Sequence, residues 1–253
     1  MTPRKTPAET PTETPNTGSD PHLTIGIVLF DKATLMDFAG PWDVFKRLPH
    51  ATTHLIAHDL TPVTASGMII TPTITWTALR EANVRLDVMC VPGGVGHVKA
   101  MDDDVLLAHL RDHATTATYV TAVCTGTLVL GAAGLIDGYR ATTHWMSLNR
   151  LSRFGATPDP ARVVSDRNRI TGGGVTAALD FALTVAAELR SEKIAKSIQL
   201  GMEYAPAPPF ACGHPDTADP DIVAAVKAEY TGGYVQKMAE VDARAAAKLK
   251  RDK

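Results

Sequence analysis

Between Thr118 and Gly134 a short β-branched run ends at Cys124, and small residues lead directly from it into an apolar helix. A strand that passes into a helix through Ala122-x-Cys124-x-Gly126 must turn sharply. Strand and helix then run close together, and bulk two places either side of the apex would clash. The apical side chain is lifted out of the sheet and set near the first amides of the helix. Their unpaired N–H groups and the positive helix end favour thiolate over thiol. Cys124 is therefore a candidate nucleophile. A cysteine after a strand also serves as a small buried hydrophobe, and the rest of the chain decides between the two.

Leu23 to Phe30 is a continuous apolar run of strand length, as in a central parallel strand covered on both faces. The helix expected over 34–45 contains Pro41, which predicts a break or restart and puts Asp37 near an irregular helix start. An acid between Met36 and Phe38, just before Gly40 and Pro41, suits an N-cap carboxylate or a site acid. His54 to His58 reads as a second strand and Val63 to Trp76 as a hairpin excursion. Leu86 to Val91 is another buried strand, with Cys90 in its core. It closes on Pro92–Gly93–Gly94–Val95–Gly96, where glycines allow either a plain turn or backbone N–H groups that approach a ligand.

Further on, an amphipathic helix is expected over 102–113, with acids in its first turn. A short strand at 141–145 turns into a helix over 146–154, and 163–164 with 169–171 form a hairpin or two short strands. Gly172–Gly173–Gly174 opens a helix to Leu189, and another helix spans 191–200. Ala205 to Phe210 is an extended proline-rich loop, and an Ala/Lys-rich helix ends the chain. Strands alternating with helices predict an α/β protein with a parallel sheet covered on both faces. Ligands bind there beyond the carboxyl ends of the strands. Asp37, Gly93, Gly94 and Cys124 all follow strands on that one edge, and this convergence favours a functional Cys124.

With 253 residues the chain can bury a full core as one domain. A formal net charge of −2 gives no electrostatic case for nucleic acid or an anionic membrane. No apolar run reaches the roughly 18 residues of a membrane span, and the N-terminus lacks an apolar secretory core. Cys90, Cys124 and Cys212 make neither a disulfide framework nor a C-x-x-C pair, which suits a reducing, cytoplasmic setting. There is no G-x-G-x-x-G or G-K-[ST] nucleotide cradle. His50, His54 and His58, like His109 and His113, recur at four-residue spacing without the Glu of H-E-x-x-H, so they read as surface histidines and no metal site is expected. Residues 1–21, rich in Thr, Pro and Glu, read as a disordered tail. A catalytic domain over 22–230 and a helical extension over 231–253 complete the expected layout.

From about His22 to Tyr230 the chain resembles the DJ-1/PfpI superfamily. The carriers are Asp37–Phe38–Ala39–Gly40–Pro41, Val91–Pro92–Gly93–Gly94, Val123–Cys124–Thr125–Gly126, Arg140 to Trp145, Thr171 to Thr176 and Asp180. The resemblance implies a flavodoxin-like, class I glutamine amidotransferase-like three-layer sandwich with a mostly parallel central sheet, and a homodimer. These motifs, with the stretch from Gln199 to Phe210, are most similar to the isonitrile hydratase branch. That branch implies addition of water to a small-molecule isonitrile through a cysteine thioimidate, giving an N-substituted formamide without metal or organic cofactor. Cys124 is then the nucleophile and Asp37 the proton shuttle, at a junction where much of the superfamily has Glu. Gly93, Gly94, Thr125 and Gly126 make up the substrate- and oxyanion-binding set, with the Thr125 hydroxyl orienting Asp37. Protease-like relatives place His where this chain has Thr125, which argues against a Cys–His peptidase dyad. His144 falls near the site or is structural. Two alternatives stay open: a glyoxalase III-like or deglycase-like enzyme on α-oxoaldehydes, and a DJ-1-type cysteine redox sensor. AraC-type regulators share the sensor fold but carry a helix-turn-helix domain after it, and the residues beyond Tyr230 are too few for one.

Overall fold

Residues 20–229 and 233–251 are described by a computed structural model. Positions 1–19, which hold nearly all of the expected tail, lie outside the described residues. In order, the elements are β1 (Leu23–Val28), α1 (Leu35–Phe45), β2 (Ala51–Ala57), β3 (Val63–Ala65), β4 (Met68–Ile70), β5 (Ile74–Thr75), α2 (Trp76–Glu81), β6 (Val88–Val91), α3 (His97–Ala100) and α4 (Asp104–Ala114). They continue with β7 (Tyr119–Val123), α5 (Gly126–Ala132), β8 (Arg140–Ala141), a 3₁₀ helix (Trp145–Phe154), β9 (Thr157–Pro158), β10 (Val163–Asp166), β11 (Arg169–Gly172), α6 (Ala177–Leu189), α7 (Glu192–Gly201), α8 (Pro220–Glu229) and α9 (Gly233–Arg251).

Seven strands form the main sheet in the order β10-β11-β7-β6-β1-β2-β5. All neighbours run parallel except β10 against β11. The all-apolar runs of β1, β6 and β7 fit their central places, since a parallel strand is covered on both faces. On one face α1 and α6 pack through Phe38, Val44, Phe45, Phe181 and Val185. On the other lie α4, α5, the 3₁₀ helix and α9, joined through Leu107, Leu128, Phe154, Val241 and Ala245. Each Val, Leu or Phe among these, fully buried, contributes roughly 1.5–3 kcal/mol of transfer free energy. The result is three layers, α/β/α.

Three expectations need correction. Pro41 does not break α1, which runs unbroken from Leu35 to Phe45. A proline inside a helix costs about 3 kcal/mol, and burial of the α1 face against α6 offsets it. The excursion after β2 is the antiparallel β3–β4 pair, but it returns as β5 to extend the main sheet. The helix expected over 146–154 is a 3₁₀ helix, ended by Gly155 in the left-handed region at φ 77°. α8, with Pro220 in its first position, has no counterpart in the sequence reading.

Candidate active site

The carboxyl ends of β1, β6, β7 and β11 bring four loops together. At the centre, Cys124 sits at φ +56°. A residue with a Cβ is strained there, so the surroundings must hold it. They do so from both sides. The Cys124 N–H donates to the carbonyls of Gly172 and Gly173 at 3.0 and 2.9 Å, and its own carbonyl accepts the Thr143 hydroxyl at 2.6 Å. Gly126 makes the turn possible, because a Cβ there would stand 2.1 Å from the Val91 carbonyl oxygen.

The sulfur accepts backbone N–H groups from Thr125 and Val175. Even so, burial and the neighbouring Asp37 push the thiol up to about 12. This corrects the expectation that the helix end yields a resting thiolate. Two amides cannot repay the loss of water around the thiol of a residue that is only 4% exposed. The resting group is a neutral thiol.

Asp37, in the first turn of α1, is completely buried. Desolvation pushes its carboxyl up to about 7, against the opposing pull of the Gly93 amide and of the Cys124 thiol beside it. Gly93 N–H donates to Oδ2 at 2.8 Å. Oδ1 makes no well-formed hydrogen bond in this resting geometry, although the thiol is near enough to shift the ionisation of the acid. A carboxyl and a thiol in contact, with one acceptor oxygen uncommitted, can pass one proton between them.

The Thr125 hydroxyl accepts the Gly94 N–H at 3.0 Å and donates to the Gly94 carbonyl at 3.2 Å. It therefore holds the glycine loop, whereas the sequence reading expected it to orient Asp37. The Gly94 and Thr125 amides are both engaged in the resting state, by this hydroxyl and by the sulfur. Gly93 is confined: an added Cβ would meet Thr125 N at 2.5 Å, Thr125 Oγ1 at 2.7 Å and Asp37 Oδ2 at 2.9 Å. Gly93→Ala is thus expected to part the carboxyl from the thiol and lower turnover by about a hundredfold, an effect of the size that small misplacements of reacting groups produce. Steady-state kinetics beside a circular dichroism spectrum of the variant checks this.

Above the sulfur lies a cavity of about 340 Å³. Cys124, Thr125 and Gly94 line it, whereas Asp37, Gly93 and Gly126 stand behind that lining. Sequence reasoning left His144 open and did not single out Val175, Ser147, Arg150, Met238 or Asp242, which also face the cavity. His144 caps the 3₁₀ helix, with Nδ1 accepting the Met146 N–H at 3.4 Å, and burial lowers its pKa. Val175 was hidden because its contribution is a backbone amide. Among the described residues no group of three or more His, Cys, Asp or Glu could hold a metal ion, and no helix is long and apolar enough to cross a membrane.

A cysteine on a strained strand–helix turn beside a buried acid, on a mostly parallel flavodoxin-like sheet, defines the class: the DJ-1/PfpI family profile matches residues 24–188, and the chain belongs to that family. Among its relatives, the isonitrile hydratase of Pseudomonas putida is 48% identical over 228 residues, which is 90% of this chain and 98% of that protein. A THiJ/PfpI family protein from Pseudomonas syringae superposes with a TM-score of 0.81 at 40% identity, covering 94% of this chain and 97% of that one. Drosophila melanogaster DJ-1beta superposes with a TM-score of 0.66 at 25% identity, and all of it is matched by 73% of this chain.

Proposed function

We propose that this chain is an isonitrile hydratase that uses Cys124 as nucleophile and Asp37 as proton carrier. The observation that carries the reading is a buried carboxyl placed directly behind a thiol that lines a cavity, each shifting the ionisation of the other. Support comes also from the 48% identity to an isonitrile hydratase along nearly its whole length. In the first step the Cys124 S–H gives its proton to the Asp37 carboxylate as sulfur bonds to the terminal isonitrile carbon. The acid then places that proton on the same carbon, leaving the thioimidate R–N=CH–S–Cys124. Water next adds to this carbon and its proton passes through Asp37 to the nitrogen, giving R–NH–CH(OH)–S–Cys124. Asp37 takes the hydroxyl proton as this intermediate collapses, returns it to the departing sulfur, and R–NH–CHO is released. Each step is general acid–base work between groups in contact. The Thr125 and Val175 amides that face the sulfur stabilise its developing charge. We assign Gly94, with Gly93 and Gly126 behind it, to shaping the substrate side of the site.

In this scheme Asp37 must be ionised and Cys124 protonated for the first step. With the acid at about 7 and the thiol at about 12, kcat/KM is expected to climb with a slope of about one below pH 7 and to level above it. A pH–rate profile from 5 to 9 checks this, and a profile flat through 7 would remove Asp37 from the rate expression. Three free cysteines and a chemistry that needs a reduced thiol support a cytoplasmic setting. The family likeness supports a homodimer, which sedimentation would test. Side-by-side assays with an alkyl isonitrile and methylglyoxal test the activity itself. Formamide from the first, with no lactate from the second, is expected; lactate alone would favour a glyoxalase.

A further inference from the structure

One wall of the cavity comes from the C-terminal helix. Met238, Ala239 and Asp242 of α9 face Arg150 and Ser147 of the 3₁₀ helix across the space above Cys124. The stretch matched by the family profile ends at residue 188, so this wall is supplied by chain beyond it. The placement of α9 is well anchored. Val241 and Ala245 are buried in the main core, and Arg244 and Lys248 pair with Asp102 and Asp104, each at 2.7 Å. Exposed pairs of that kind contribute little.

The anchor inside the cavity is of another kind. Arg150 grips Asp242 through two parallel bonds, Nε to Oδ2 at 2.8 Å and a terminal nitrogen to Oδ1 at 2.7 Å, with Asp242 only 1% exposed. A forked guanidinium–carboxylate pair fixes direction as well as distance. Its remaining nitrogen reaches Met238 Sδ at 3.2 Å, Ser147 Oγ at 3.3 Å and His97 Nε2 at 3.4 Å. His97 is buried and its pKa is lowered to about 4, so it is neutral. Its Nδ1–H donates to the Gly94 carbonyl at 2.7 Å, leaving Nε2 as acceptor for Arg150. A continuous polar chain thus runs from α9 to the glycine loop beside the nucleophile.

We propose that α9 is the roof of the substrate cavity, that Met238 determines which N-substituents fit, and that Arg150 and Asp242 are positioning residues that hold Met238 in place. The identity of the substrate rests on the isonitrile hydratase reading; the roof does not. Because the two charges neutralise each other, the wall calls for no charged group on the ligand. A cavity of about 150 Å³ takes a benzene ring, and the 340 Å³ here suits an isonitrile carrying a compact alkyl or single-ring substituent.

Two thiol reagents of different size test this without any isonitrile. Alkylation of Cys124 by iodoacetamide and by N-(1-pyrenyl)maleimide is followed by mass spectrometry of the Cys124 peptide. In Met238→Ala the pyrenyl-to-iodoacetamide rate ratio is expected to rise about tenfold, in line with what a few methylene groups are worth in a pocket. Asp242→Asn is expected to raise the same ratio and to speed amide exchange in α9, with kcat/KM for cyclohexyl isonitrile gaining on that for methyl isonitrile. Should Asp242→Asn fail to fold, Met238→Ala decides. An unchanged ratio in Met238→Ala, or equal acceleration of both reagents, overturns the roof even if isonitriles are hydrated. A raised ratio with no hydration of any isonitrile upholds the roof while the functional reading fails.

Discussion

Cys124→Ala is expected to lower isonitrile turnover by on the order of 10⁴-fold or more, to the level of the uncatalysed reaction. The scheme routes every bond change through the sulfur: it attacks the carbon, carries the thioimidate and leaves as the formamide forms. Without it the acid and the amides have no intermediate to act on. The loss should come without unfolding, because the groups that hold the turn contact the Cys124 backbone, which alanine retains. The left-handed strain at position 124 remains in the variant. Thermal unfolding and kinetics on the same preparation check both halves of the expectation. Turnover above a tenth of the wild-type rate would remove Cys124 from the reaction.

Asp37→Asn is expected to lower kcat by about 10²- to 10⁴-fold, the usual worth of one positioned acid–base group. The amide can still accept the Gly93 N–H but cannot receive the thiol proton. The same substitution should stabilise the fold in a pH-dependent way. Asp37 titrates at about 7 in the folded protein against the ordinary 3.8, so folding favours its protonated form. That contribution is fully present below pH 3.8 and is lost as pH rises through 7. Above pH 7 the variant, with no charge to bury, should exceed wild type in stability by at most about 4 kcal/mol. Near pH 4 the gap should close. Denaturant unfolding at pH 4, 6 and 8 reads this directly. Equal stabilities at all three would mean that the carboxyl is not desolvated. A less active but more stable variant is the mark of a group kept for chemistry at the expense of the fold.

The sheet was legible because its central strands are short and apolar, and β6 runs straight into Pro92–Gly93–Gly94, which cannot continue it. Strand β7, Tyr119–Val123, lies within the β-branched run that was read as ending at Cys124. The elbow was legible too, since Ala122 and Gly126 announce a close strand–helix passage, and the glycine geometry agrees. What the sequence concealed falls into two kinds. Energetic competition is one: Pro41 is a breaker by local rules, yet packing of α1 on α6 outweighs it. The resting thiol is another case, because helix-end amides lower a pKa while burial raises it, and burial is not visible in a motif. Long-range assembly is the second kind. Arg150 and Asp242 lie 92 residues apart, neither sits in a motif, and α9 read only as an Ala/Lys-rich helix ending the chain. Its spacing of Met238, Val241, Asp242, Ala245 and Leu249 places one face against the body. The hidden signal was the acid at 242 in that otherwise apolar stripe.

The central claim, that sulfur at position 124 bonds to the isonitrile carbon, is tested most directly by rapid quench of wild-type protein with a simple alkyl isonitrile, followed by intact-mass and peptide analysis. The account predicts a transient mass gain equal to the whole isonitrile, confined to the Cys124 peptide, decaying as the N-substituted formamide accumulates and absent from Cys124→Ala. Formamide produced at the full rate with no adduct at Cys124, or with the adduct on another residue, would contradict it.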